Sequence, residues 1–172
     1  MYWSRALCIY RLLSRFFSEN EAREFRIIQA LTGTLISGSM ALQFLNRTPY
    51  PDSDLDIYVE HLYSEPVASF LNTIGYRYEH RETQKSSLWK AIAEVRSDLR
   101  RGVDAFYDDE TQDQSKRGFA GVFNMMRGQQ KIQLITARNS PMDIVLNFHS
   151  SALLPLPDVD SSLILHVPQP LL

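Results

Sequence analysis

The spacing of apolar residues changes along the chain between the period of a helix and that of a strand. Helical spacing predicts five helices, which cover about residues 19–31, 39–45, 65–74, 87–100 and 140–149. Two-residue alternation predicts five strands, at about 34–37, 52–59, 76–78, 121–127 and 131–136, and the last two form a hairpin. Together these elements predict a single α/β (α+β) domain with a small mixed β-sheet flanked by helices.

The helix predicted at 19–31 has sequence signals at both ends. Ser18 and Glu21 have the spacing of a capping box, and Gly33 suits the left-handed residue that often ends a helix. Three apolar residues of this helix are expected to face the core: Phe25, Ile28 and Leu31.

The segments on either side of the predicted domain, 19–150, differ from it in composition. Residues 1–18 contain three arginines and no acidic residue, which is typical of an amphipathic helix packed on the domain or of a mitochondrial transit segment. In the first case the buried side chains are Leu7, Leu12, Leu13, Phe16 and Phe17. Residues 151–172 contain four prolines and are predicted to be a Pro-rich C-terminal extension.

Two acidic residues, Asp54 and Asp56, interrupt the apolar pattern of the second predicted strand. Because side chains alternate faces along a strand, both carboxylates are expected on one face, while Leu55, Ile57 and Val59 enter the core. Carboxylates that share a face repel each other, and a divalent cation removes that cost. Mg²⁺ binds such oxygens together with substrate phosphates, so the pair indicates a metal site.

A small-residue turn, Gly38-Ser39, connects the first predicted strand to the helix at 39–45. Gly38 allows a ligand to approach the backbone closely, and Ser39 can cap the helix. The N–H groups at the start of a helix suit a phosphate. The turn and the acidic strand together therefore predict a site for a nucleoside triphosphate and a metal ion.

The segments Ile36–Ser39 and Ser53–Ile57, in this order, resemble the motifs of the nucleotidyltransferase superfamily, which includes DNA polymerase β-like enzymes and the aminoglycoside nucleotidyltransferases. Fourteen residues separate Ser39 from Asp54, at the long end of the family's range. The resemblance covers about residues 25–60, with looser agreement to about residue 150. It implies a nucleotidyltransferase-like fold.

The resemblance also implies a site and a reaction. Asp54 and Asp56 would be the catalytic residues and would hold Mg²⁺ or Mn²⁺, while Gly38, Ser39 and Ser53 would bind the nucleotide. The implied substrate is ATP or another nucleoside triphosphate, whose nucleotidyl group is transferred to an unknown hydroxyl acceptor. Lys131–Ile135, followed by Phe148-His149-Ser150, also looks like a group of uncharacterised fungal proteins in the same superfamily.

One departure from the family concerns a third acidic residue, which active members carry on a later strand. The corresponding position here is Gln133, on the face shared with Lys131 and Ile135. An amide can offer an oxygen to a metal, but it cannot act as a base. Glu60 and Asp104 are alternative sources of the third carboxylate.

Because Gln133 stands in place of the third acidic residue, two functions other than that of an enzyme remain open. The first is a catalytically inactive nucleotide-binding or protein-interaction module that keeps the fold. The second is the small half of a two-protein system, which needs a helical partner and should expose an apolar patch beside the final helix.

Composition and charge limit the remaining classes. A net charge of −2 argues against a surface for general nucleic-acid binding, and the basic residues between 85 and 101 lie among acidic ones. No apolar run is long enough to span a membrane. A single cysteine, Cys8, fits a reducing compartment, so we expect a cytoplasmic protein, or a mitochondrial one if residues 1–18 are a transit segment. The four histidines show no metal-ligand spacing.

Overall fold

A computed structural model describes residues 9–39, 53–102 and 118–151, the last five as backbone only. Five α-helices are described: α1 (Ile9–Leu13), α2 (Glu19–Thr32), α3 (Ser64–Thr73), α4 (Leu88–Arg101) and α5 (Pro141–Ser151). Five strands are described: β1 (Leu35–Ser37), β2 (Leu55–Glu60), β3 (Arg77–Glu79), β4 (Phe119–Arg127) and β5 (Gln130–Ala137). Leu7, Cys8, Asp104, the predicted helix after Ser39 and the Pro-rich extension lie outside the described residues.

The strands form one mixed sheet in the order β1-β2-β5-β4-β3. The central strands β2 and β5 are parallel, and every other neighbouring pair is antiparallel. The prediction of a mixed sheet flanked by helices is therefore confirmed. None of the described helices is long and apolar enough to cross a membrane.

The two faces of the sheet are covered to different extents. Helices α1 to α4 pack on one face, where Ile36, Leu55 and Ile57 join the main core. On the other face α5 covers a smaller cluster, in which Tyr58 and Ile135 meet apolar residues of the helix. Helix α5 covers only the part of this face that contains the smaller cluster. Polar residues at the other end of the face, such as Asp56 and Gln133, therefore lie outside that cluster.

The N-terminal helices pack largely as the sequence pattern predicts. Ser18 and Glu21 form the capping box, and Gly33 ends α2 in a left-handed conformation. Four of the N-terminal residues expected in the core are buried: Leu12, Leu13, Phe16 and Phe17.

The inward orientation predicted for Leu31 is wrong, because that side chain is 78% exposed. Three helical residues fall about 60° short of a full turn, so two such steps move Leu31 about 120° away from the buried Phe25. Gln29, four residues after Phe25, faces the core instead and is buried.

Candidate metal and phosphate site

Gly38 lies directly against the carboxylate of Asp56. The turn follows β1 at once, and Gly38 adopts a φ of +72°, in the left-handed region that favours glycine. A Cβ atom at this position would lie 2.1 Å from Oδ2 of Asp56, which is far inside van der Waals contact. Only glycine therefore allows the turn and this carboxylate to occupy their positions together.

Asp56 belongs to a row of polar residues that crosses the whole sheet. It pairs with Ser37 of β1 on one side and with Gln133 of β5 on the other. The row continues through Asn124 of β4 to Glu79 of β3. Residues paired in this way point to the same face of a sheet, so these five side chains share one face. Gly38, which follows Ser37, and Asp56 of β2 thus meet near one end of this polar row.

Asp54 lies one residue before β2, and not on the strand as the alternation predicted. Strand β1 ends at Ser37, opposite Asp56, and the register with β5 begins at Leu55, so Asp54 has no backbone partner in the ladder. Its side chain is held by Lys131 instead, whose Nζ donates a hydrogen bond to Oδ2 of Asp54 at 2.7 Å.

The two carboxylates are electrostatically coupled. Burial raises the pKa of Asp56, the negative charge of Asp54 raises it further, and the Lys131 ammonium lowers it, with a net result of about 6. The ionised form of Asp56 is therefore disfavoured in the folded protein, and a bound cation would relieve that cost.

The third carboxylate implied by the resemblance is not on β5. Gln133 stands in register with Asp56, and the preceding residue on the same face is Lys131. Glu60 does not replace it, because Glu60 ends β2 four residues beyond Asp56, about 13 Å away at roughly 3.3 Å per strand residue. The suggestion that Glu60 completes the site is therefore wrong, and Asp104 lies outside the described residues.

The predicted nucleotide-binding residues Ser39 and Ser53 flank the two carboxylates in sequence. Ser39 directly follows Gly38 inside the first helical turn and is exposed, so it does not precede the helix as the cap expected from the sequence. Ser53 is half-buried and precedes Asp54. Ser39 is therefore the sequence neighbour of Gly38, and Ser53 is the sequence neighbour of Asp54.

Lys131 and Asn124 are two site residues whose contributions were not expected. The Lys131 ion pair depends on the parallel register of β2 and β5, which local sequence does not encode. Asn124 lies beside Gln133, and its Oδ1 is buried with no hydrogen-bond partner in the described part of the chain. Alternation along β4 could have placed Asn124 on the polar face, since Phe123 and Met125 on either side are buried.

The donor set fits Mg²⁺ held jointly by protein and substrate. Within the described ranges, no group of three or more His, Cys, Asp or Glu side chains could hold a metal ion. Mg²⁺ is commonly bound through one or two carboxylates plus substrate phosphates, which is what Asp54 and Asp56 can offer. A site with only these two carboxylates would bind the cation well only when phosphate oxygens complete its coordination.

No protein-family model, curated protein or solved structure matches the chain. The resemblance to nucleotidyltransferases therefore rests on the two sequence motifs.

Proposed function

We propose that this chain is a nucleotidyltransferase-like protein that binds a nucleoside triphosphate together with Mg²⁺ or Mn²⁺. Asp54 and Asp56 hold the metal ion, and the Gly38-Ser39 turn, with Ser53 beside the carboxylates, binds the phosphates. The observation that carries the proposal is the contact between Gly38 and the Asp56 carboxylate, which joins the two motifs at one place. A phosphate at the turn would lie next to a metal ion on the carboxylates.

In the enzymatic form of this proposal, the nucleotidyl group passes to a hydroxyl acceptor. The acceptor oxygen forms a bond to the α-phosphorus, the bond from that phosphorus to the β-phosphate breaks, and pyrophosphate leaves. A bound metal ion would supply electrostatic stabilisation of the charge that develops on the phosphates. Asp54 and Asp56 would hold that metal, Gln133 cannot act as the base, and the acceptor proton passes to solvent.

A non-catalytic nucleotide-binding module is the second candidate, and Gln133 favours it. An amide, which cannot act as a base, stands beside Asp56 where a third carboxylate would serve an active enzyme, and this favours binding without turnover. The third possibility, half of a two-protein system, has less support. Within residues 141–146 of α5, Leu146 is the large apolar residue that is exposed, and an isolated exposed leucine is ordinary.

Calorimetric titration with each of the four ribonucleoside triphosphates tests the binding proposal. We expect wild-type protein to bind at least one of them when Mg²⁺ is present and to lose that binding in EDTA. The double substitution Asp54→Ala plus Asp56→Ala should abolish binding, whereas Asp143→Ala, which removes an exposed acid from α5, should leave it unchanged. Equal binding by the double variant and the wild type would refute the site.

Pyrophosphate release separates the enzyme from the module. Protein that binds a triphosphate is incubated with it and with varied hydroxyl acceptors. Release that depends on Asp56 supports transfer, while binding without release across all four nucleotides supports the module.

A further inference from the structure

Lys131 forms an ion pair with Asp54, one of the two carboxylates of the candidate site. Its Nζ lies 2.7 Å from Oδ2 of Asp54, which is a short, charge-assisted hydrogen bond. The side chains of Lys131 and Asp54 are 29% and 37% exposed, so the pair borders solvent and a ligand can reach it.

The sheet determines which carboxylate the lysine meets. Ile132 pairs with Leu55, so Lys131 lies alongside Asp54 on the neighbouring parallel strand. Lys131 also stands two residues before Gln133 and therefore shares the face of Asp56. The ammonium is thus part of the polar site, while the apolar cluster under α5 occupies the other end of the face.

An ammonium and a divalent cation compete for the same oxygen atoms. While Lys131 donates to Asp54, a metal ion that binds this carboxylate must displace it. Lysine suits such an exchange, because its charge is compact and its four-carbon stem is flexible. A displaced ammonium would need a new anionic partner, and a triphosphate supplies one within the same site.

We propose that Lys131 is the resident cation of the site and a phosphate-binding residue, a role that rests on the proposed function. In the free protein it neutralises Asp54. When a metal–triphosphate complex binds, the divalent cation takes Asp54 and the ammonium moves to a phosphate oxygen. The exchange makes and breaks only ionic contacts, and it disfavours the binding of metal without nucleotide.

The test uses two binding measurements on full-length protein: Mn²⁺ alone, by the loss of the free-ion electron paramagnetic resonance signal, and Mn²⁺ with the triphosphate, by calorimetry. We expect Lys131→Met to bind Mn²⁺ alone about threefold to tenfold more tightly than wild type, because the competing cation is gone. The same variant should bind the triphosphate about tenfold to a hundredfold more weakly, because a charged phosphate contact is lost.

Two further variants sharpen the comparison. Lys131→Arg keeps the charge and should restore most of the triphosphate affinity. Lys85→Met makes the same change at an exposed ion pair with Glu94, on another part of the surface, and should alter neither measurement.

The possible failures are distinguishable. If wild-type protein does not bind any triphosphate, the proposed function and the role of Lys131 both fail. If wild type binds but Lys131→Met behaves like Lys85→Met, only the role of the lysine fails. Weaker binding of Mn²⁺ alone by Lys131→Met would also overturn the exchange, since it would show that the lysine supports the metal site instead of competing for it.

Discussion

Replacing Asp56 with asparagine should stabilise the protein at pH 8 while abolishing metal-dependent triphosphate binding. The carboxylate is largely buried beside a second acid, and its pKa is raised from 3.8 to about 6 in the folded protein. Ionisation at pH 8 therefore opposes folding, and the neutral amide removes that cost. We expect a gain of about 3 kcal/mol in the free energy of unfolding, measured by urea denaturation.

The pH dependence of this gain follows from the direction of the shift. Because the pKa of Asp56 is higher in the folded than in the unfolded protein, its contribution to stability is complete below pH 3.8 and is lost as the pH rises through about 6. The difference in stability between Asp56→Asn and wild type should therefore be close to zero at pH 4 and should reach its full value above pH 7.

The exposed acid Asp143 provides the matched control. It lies in the first turn of α5, where a negative charge favours the helix, so Asp143→Asn should lower stability by about 0.5 kcal/mol. If Asp56→Asn also destabilised the protein at pH 8, the ionised Asp56 would have to be stabilised by its surroundings, and the electrostatic description of the site would be incorrect.

Replacing Gly38 with alanine should both destabilise the protein and eliminate binding. The left-handed backbone costs an L-residue about 1–2 kcal/mol. The new methyl group would also lie 2.1 Å from Oδ2 and 3.1 Å from Cγ of Asp56, so the turn or the carboxylate must move. We expect a total loss of about 3–4 kcal/mol in the free energy of unfolding.

Gly33 is a control position that separates the cost of backbone strain from the cost of a steric clash. It has a similar φ of +65°, but a Cβ atom there would have nothing within 4 Å, so Gly33→Ala carries the backbone cost alone. Gly38→Ala should also cost about 1–2 kcal/mol less in an Asp56→Ala background, where the colliding oxygen is absent. Equal losses for the two glycine variants, with no coupling to Asp56, would show that Gly38 does not touch the carboxylate in solution.

Local sequence signals predicted the parts of the fold whose chemistry is local. The capping box at Ser18 and Glu21 requires residues only three positions apart, and the structure forms it as expected. Alternation likewise placed Leu55, Ile57 and Val59 in the core. The strand boundary was less accurate, because β2 begins only at Leu55, and the last residue of β1 stands opposite Asp56 and leaves Asp54 without a partner there.

The site itself was only partly predictable, because its main contacts cross the sheet. The position of Gln133 beside Asp56 agrees with the place suggested by the family resemblance. The ion pair of Lys131 with Asp54 joins residues 77 positions apart, and it depends on a parallel register that no local pattern encodes. The small-residue turn predicted that Gly38 would admit a ligand. The structure adds that its missing side chain admits Asp56.

Paramagnetic broadening by Mn²⁺ tests most directly whether the acidic pair and the glycine turn form one metal–triphosphate site. A complex of Mn²⁺ with a non-hydrolysable triphosphate is added to isotopically labelled protein, and backbone amide signals are followed by nuclear magnetic resonance. We predict that the signals of Gly38, Asp56 and Gln133 broaden first, whereas those of Gly102, at the end of α4, stay sharp. Broadening that is uniform, or strongest away from these three residues, would contradict the account.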